Sequence, residues 1–292
     1  MMRDRLGGYI AQPDYPGATN SENLQLSGMW TLREAEALTR RGEWSFNIAQ
    51  FAPKLWLDAS NAAAVFDATS GGNLVTADGG AIARLEDQSD TQQHFTQLDQ
   101  ATRPVLNVSG QNGLNVIAFA GANNFLTASV PPNPTFFTST FTIISVARAT
   151  TAALSAGSYF YNNTALYSVS YGMNLGFTSN NFAIAGVYAP TDRTVSLSYQ
   201  LGTWAVFITE FVQSQRFSFG INNANLTSST SQPGGLDQTT TSGQALVLGR
   251  NTYLAGRNFV GQFGELLVFD KLLTANQLTI LVAFLTRKWG IT

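Results

Sequence analysis

Trp204-Ala205-Val206-Phe207-Ile208-Thr209-Glu210-Phe211-Val212 is followed, three residues later, by Arg216-Phe217-Ser218-Phe219-Gly220-Ile221. Both runs are short and rich in β-branched and aromatic residues, the types that suit a pleated, half-buried surface. Asn222-Asn223 then supplies turn chemistry. The same texture extends to either side. Lys54–Asp58, Ile82–Glu86, Val116–Ala120, Phe141–Arg148, Ser158–Tyr161, Leu166–Val169, Met173–Phe177, Phe182–Tyr188, Thr194–Tyr199, Ala245–Leu248 and Phe263–Phe269 read as further strands. Ser70-Gly71-Gly72-Asn73, Asp78-Gly79-Gly80, Gly110-Gln111-Asn112-Gly113, Pro131-Pro132-Asn133-Pro134 and Pro233-Gly234-Gly235 punctuate them. Regular short strands with such breaks argue for an all-β sandwich or barrel. No strand–helix–strand alternation appears, which argues against a parallel sheet.

Two helices frame the strands. Thr31 and Glu34 form a capping box, Arg40 and Arg41 fill the last turn, and Gly42 follows, as helix ends prefer. Leu32, Ala35 and Leu38 make a thin apolar stripe flanked by Trp30 and Trp44, which must bury itself against the sandwich or a neighbouring subunit. Before it, residues 1–26 carry Gly7-Gly8, Pro13, Pro16 and Gly17 and read as an extended arm with turns. At the other end Thr274 and Gln277 form a second capping box. Leu278, Leu281, Val282, Leu285 and Trp289 recur at helical spacing, and Gly290 closes the segment. This helix should lie across the sandwich and cover an apolar edge. The division expected is 1–52, an anchoring arm with its helix, and 53–292, the sandwich domain.

Of the 292 residues 44% are hydrophobic, enough for a full core, and 12% are charged. A typical domain has about 25% charged residues, so the surface relies on Ser, Thr, Asn and Gln. A face so poor in charge suits packing against other subunits. Net charge is −2 with no basic run, which argues against nucleic acid as a partner. The absence of cysteine excludes disulfides, thiolate chemistry and cysteine-built zinc sites. No signal peptide is visible at the N-terminus, and no run of about 20 apolar residues suggests a membrane span.

Several segments resemble the concanavalin A-like lectin/glucanase superfamily in its laminin-G-like branch. These are Leu55-Trp56-Leu57-Asp58-Ala59-Ser60, Leu85-Glu86-Asp87-Gln88-Ser89, His94-Phe95, Arg103-Pro104, Asn112-Gly113-Leu114-Asn115 and Phe119 to Leu126. Phe141–Arg148 and Trp204–Phe207 match the central strands. Leu248-Gly249-Arg250, Gly261–Asp270 and Phe284–Ile291 make the closing match. The resemblance covers roughly residues 53–291 and implies a two-sheet antiparallel jelly-roll sandwich. Ala120 stands where the family has an acid, and Ser89-Asp90-Thr91 replaces its Ser-Gly-Asn-Gly turn. Residues 27–44 are similar to short modules that precede such domains in tailed-phage structural proteins. That implies a virion component at the particle surface, a head-decoration, fibre or tail protein, partnered by itself as a homo-oligomer and by other virion proteins. Trp30, Leu32, Leu38 and Trp44 are the anchoring candidates.

The superfamily's glucanases carry a Glu-x-Asp-x-x-Glu strand, because retaining glycoside hydrolysis needs two carboxyls about 5 Å apart. Outside the first helix the glutamates stand far apart in sequence, and Glu265 reads as a hydrogen bonder at a sheet edge or strand end. His94 is the only histidine, and no Gly-x-Ser-x-Gly elbow accompanies it. The expectation is therefore no enzyme and no obligatory cofactor. Calcium is the one metal the residues suit, through Asp58, Asp87 and Asp90, whose ordinary roles are turn and strand-end caps. A second functional expectation is a carbohydrate-binding module for a host-surface glycan. It rests on Tyr159, Tyr161, Asn162, Asn163, Tyr167 and Tyr171, with Tyr188 beside them, since sugars need aromatic faces ringed by planar polar groups. Strict alternation puts Tyr159 and Tyr161 on one face and Phe160 on the other.

Overall fold

The structure is a computed structural model. It describes residues 9–12, 28–31, 47–121, 124–128, 140–151, 158–162, 172–179, 181–189, 191–213, 215–229, 246–250 and 257–292. Two compact units are present, Met1–Gln50 and Phe51–Thr292. In the first, β1 (Tyr9–Gln12) pairs antiparallel with β2 (Gly28–Thr31), Ile10 opposite Trp30. The segment read as an arm with turns thus contributes a strand. Trp30 and Thr31 lie in β2, and the helix expected after them falls outside the described residues with Leu32, Leu38 and Trp44.

The second unit is a two-sheet antiparallel sandwich of jelly-roll class. One sheet is built from β3 (Leu55–Asp58), β7 (Val105–Gln111), β8 (Leu114–Ala120), β10 (Thr140–Thr151), β15 (Ala205–Val212), β16 (Arg216–Ile221), β17 (Thr227–Ser228) and β19 (Val260–Phe269). Its order is β17-β16-β15-β10-β19-β8-β7, with β3 also on β19. The other contains β4 (Val65–Phe66), β5 (Arg84–Leu85), β6 (Phe95–Thr96), β9 (Leu126–Ala128), β11 (Ser158–Asn162), β12 (Gly172–Thr178), β13 (Phe182–Ala189), β14 (Thr191–Ser198) and β18 (Val247–Leu248). Its order is β14-β13-β12-β11-β18-β9-β6-β5-β4. The strand expected at Leu166–Val169 falls outside the described residues.

Burial follows the two-residue period of a strand. Phe207 and Phe211 of β15 face the core, as do Phe217 and Phe219 of β16. From the opposite sheet Phe177 meets Phe207 at 5.3 Å between ring centroids, and Phe160 meets Phe263 at 5.8 Å. The long strand β10 breaks the usual alternation of apolar and polar residues. Phe141 and Ile143 enter the core, yet Ile144 and Val146 on the other face are also buried. The reason is α1 (Ala275–Lys288), which supplies Leu278, Leu281, Val282, Leu285 and Trp289 as a second buried layer. The helix packs against the outer face of the sheet's central strands rather than an edge: Trp289 stacks on Trp204 beside β15 at 5.9 Å and lies against Gly264 of β19.

Both ends of α1 are capped as expected. The Gln277 N–H donates to Thr274 Oγ1, and the Thr274 N–H donates to Gln277 Oε1. Gly290 adopts φ of 60°, where its N–H bonds the Arg287 carbonyl and the Ile291 N–H bonds Thr286, the paired bonds of a Schellman ending. The edge strand β7 escaped the sequence reading because Leu106 alone among its residues is fully buried.

Candidate functional site

A bulge in β19 decides where the buried charges go. Phe263 and Leu266 both face the core, yet two residues separate them instead of one. The register against β10 slips there: Ala147 stands opposite Phe263 and Val146 opposite Glu265, leaving Gly264 over. The extra residue turns Glu265 away from the aromatic core to the side under α1. A side chain at 264 would be tight as well, because a Cβ there would approach the Trp289 ring to 3.0 Å and the ring would have to give way.

Glu265 is 1% exposed. Its Oε1 accepts from Trp56 Nε1 at 2.9 Å; its Oε2 accepts from Trp289 Nε1 at 3.0 Å and Lys288 Nζ at 2.7 Å. Lys288 also donates to Asp58 Oδ2 at 2.6 Å, and Asp58, opposite Glu265 in β3, accepts from the Ser60 N–H and hydroxyl. Two corrections to the sequence reading follow. Glu265 occupies a central strand, not a sheet edge or strand end. Two carboxylates distant in sequence do converge, sharing one ammonium. Glu265 is the most deeply buried of the three, with Lys288 at the helix end partly exposed.

Burial, reinforced by the charge of Asp58, pushes the Glu265 carboxyl up to about 7 from its ordinary 4.5; Lys288 and the Trp289 N–H work in the other direction. Burial opposes the charge on Lys288, but the Glu265 and Asp58 carboxylates outweigh it and raise its affinity for the proton. The consequence for stability has a definite sign. Below pH 4.5 Glu265 is protonated in both folded and unfolded chains. Between 4.5 and about 7 the folded protein keeps a proton that the unfolded chain has released, so stability falls as pH rises through that window. Denaturant titrations of wild type and Glu265→Gln at a series of pH values check this. The stability of wild type relative to the variant should decline from pH 4.5 to 7.5, and a constant difference would contradict the assignment.

The sequence-expected residues are placed as follows. Asp87 accepts from the backbone N–H groups of Trp56, Ser89 and Gln93 and from the hydroxyls of Ser89 and Thr91. Asp90 is exposed in the same turn, while Asp58 is engaged by Lys288 and Ser60. Asp58 and Asp87 thus point their oxygens at protein donors rather than at a shared centre, and no group of three metal-ligating side chains converges among the described residues. His94 accepts the Asp87 N–H at Nδ1, at 3.2 Å. Tyr159, Tyr161 and Asn162 lie in β11, whereas Asn163, Tyr167 and Tyr171 fall outside the described residues. The register shifts between Tyr159, opposite Gly176, and Tyr161, opposite Leu175.

Among the described residues a cleft lies elsewhere, on the outer face of the eight-stranded sheet beside the start of α1. It holds about 320 Å³, a size suited to a small ligand. Glu210 of β15, Arg216 and Ser218 of β16, and Ser228 of β17 supply its polar groups; Leu226, Leu273 and Leu278 supply apolar surface. Arg216 donates to Glu210 Oε2 at 3.2 Å, and the Ser218 and Ser228 hydroxyls are 2.9 Å apart. Burial raises the Glu210 carboxyl above the usual carboxylate range, and Arg216 offsets part of that rise. Sequence reading left this cleft unseen because Glu210, Ser218 and Ser228 meet only through strand pairing.

No family model and no curated protein matches the chain. Solved structures do. The binding domain of Paraclostridial Mosquitocidal Protein 1 aligns at a TM-score of 0.53 with 12% identity, over 71% of this chain and 52% of that one. The binding domain of botulinum neurotoxin serotype D gives 0.54 and 10%, over 82% and 54%. Trypanosoma rangeli sialidase in complex with 2,3-difluorosialic acid gives 0.50 and 10%, over 87% and 36%. The chain thus spans about half the length of the two toxin domains. At such identities the likeness is one of fold.

Proposed function

We propose that the sandwich is a non-catalytic glycan-binding domain whose cleft beside α1 holds a sugar unit. One observation carries the reading: a desolvated carboxylate and its guanidinium partner sit with two hydroxyls beside apolar side chains. Sugar hydroxyls need such planar acceptors and donors at their edge, and the C–H face of a pyranose needs apolar surface. The likeness in fold to toxin binding domains and to a sialidase holding a sialic acid derivative supports it. Glu210 is the sole carboxylate among the cleft's described lining residues, whereas glycoside hydrolysis takes two.

A glycan array with the full chain, followed by titration of the best hit, tests the proposal. Glu210→Gln and Arg216→Ala should each weaken binding at least tenfold while circular dichroism stays unchanged. An array without hits, or unaltered affinity in both variants, would falsify the cleft. Loss on Tyr161→Ala instead would move the site to β11, and release of sugar from any bound polysaccharide would overturn its non-catalytic character.

A virion setting remains our second reading, favoured by the low charge and the separate N-terminal unit. In it Trp30, Leu32, Leu38 and Trp44 dock on neighbouring subunits, and the domain is displayed for attachment to a host-surface glycan. Oligomer size that collapses on deleting residues 1–50 supports it; a monomer with and without them counts against it.

A further inference from the structure

Beside Trp289, one row of the sheet's outer face is half-buried where the neighbouring rows are buried among the described residues. Strand pairing sets that row. Ala118 of β8 stands opposite Gln262 of β19, and Gln262 opposite Arg148 of β10. Ala147 stands opposite Ala205, so Trp204, one residue earlier, flanks Arg148. Residues opposite one another in a sheet share a face. Ala118, Gln262 and Arg148 are half-buried, and Trp204, 9% exposed, forms the wall.

Three polar atoms of this row lack partners. Arg148 Nε, Trp204 Nε1 and Gln262 Oε1 are all buried, and none has a hydrogen bond. Arg148 has no carboxylate partner among the described residues; its guanidinium stands 5.7 Å from the Trp204 ring. Buried donors and acceptors are ordinarily satisfied, so a ligand that bonded these three atoms would supply the partners the fold does not. Two N–H donors, one of them on a cation, call for an anionic oxygen pair. The planar guanidinium matches a carboxylate. The amide oxygen beside it calls for a hydroxyl or amide N–H on the same ligand.

We propose that this row is a second ligand site, taking the carboxylate of an acidic sugar. The saccharide part of the assignment rests on the glycan-binding reading above; the carboxylate part rests on Arg148, Trp204 and Gln262 alone. The site is separate from the Glu210 cleft, so the two can fail separately.

The test uses the full chain with glucuronic acid, galacturonic acid and N-acetylneuraminic acid, each beside its methyl ester, followed by tryptophan fluorescence and amide NMR shifts. At least one acid should bind, with its ester at least tenfold weaker. Added salt should weaken the acid, as a charge pair requires. Arg148→Gln should cost at least tenfold on the acid with the melting temperature unchanged, and Trp204→Phe, which keeps an aromatic ring but deletes the N–H, should cost less. Glu210→Gln should leave acid binding intact. The site is overturned if no acid binds, if acid and ester bind alike, or if Arg148→Gln binds as wild type does. Acid binding lost in Glu210→Gln but kept in Arg148→Gln also overturns it, while preserving the cleft. Acid binding that depends on Arg148, without any ligand for the cleft, upholds this site and sinks the cleft.

Discussion

Lys288→Met should lower stability by about 3–5 kcal/mol at pH 8, because it leaves two buried carboxylates without their cation. Lys288 is the shared partner of Asp58 and Glu265, at 2.6 and 2.7 Å. The Glu265 carboxyl, already raised to about 7 by burial and by Asp58, loses the ammonium that lowers it, so its charge must be carried without a partner or given up to a proton. Most of the loss should return in the double variant Lys288→Met/Glu265→Gln. The glutamine carbonyl still accepts an indole N–H from Trp56 or Trp289, and one of the two stranded carboxylates is gone while Asp58 keeps its bonds from Ser60. Urea denaturation followed by tryptophan fluorescence gives all three numbers. A single variant within 1 kcal/mol of wild type would mean that the network is open to solvent. A double variant no better than the single would mean that the loss comes from packing of the lysine stem.

Phe177→Ala is expected to cost about 3–5 kcal/mol. Phe177 belongs to β12 in one sheet, and its ring meets Phe207 of the other at 5.3 Å, Tyr199 at 5.1 Å and Phe259 at 5.8 Å. Truncation removes the contact between layers and leaves a void among fully buried neighbours. The companion Phe207→Ala completes a double-mutant cycle, and a coupling of about 0.5–1.5 kcal/mol is expected for an edge-to-face pair. Strict additivity would mean that the rings do not touch and that the sheets pack differently.

The strands of the sandwich were legible because each lies within one run of sequence. Arg216–Ile221 has the bounds read from composition, and Phe182–Ala189 and Val260–Phe269 extend the expected runs by a few residues. The capping box of Thr274 and Gln277 was legible for the same reason, its partners being three residues apart. Elements were missed where burial was thin. Strand β7 has one fully buried residue, and β4, β6, β9 and β17 span two or three residues each, too few for alternation to register.

The candidate sites were far less legible. The cleft needs Ser228 brought beside Ser218, and Glu210 reached from Arg216. The half-buried row needs Arg148, Trp204 and Gln262 from three segments. The tyrosines of β11, which caught attention in the sequence, are interrupted by a register shift that no two-residue period reveals.

By itself the sequence determined the all-β class, the closing helix with its caps, the apolar content that two layers require, and the lack of cysteine chemistry. These depend on local propensity and on period, which a linear chain carries in full. Only the tertiary structure decided which charges meet. Asp58 and Lys288 are 230 residues apart, and the bulge at Gly264 turns Glu265 toward them instead of into the core. Pairing register is a long-range property, set by how whole strands align, and one residue of slip sends every side chain beyond it to the opposite face.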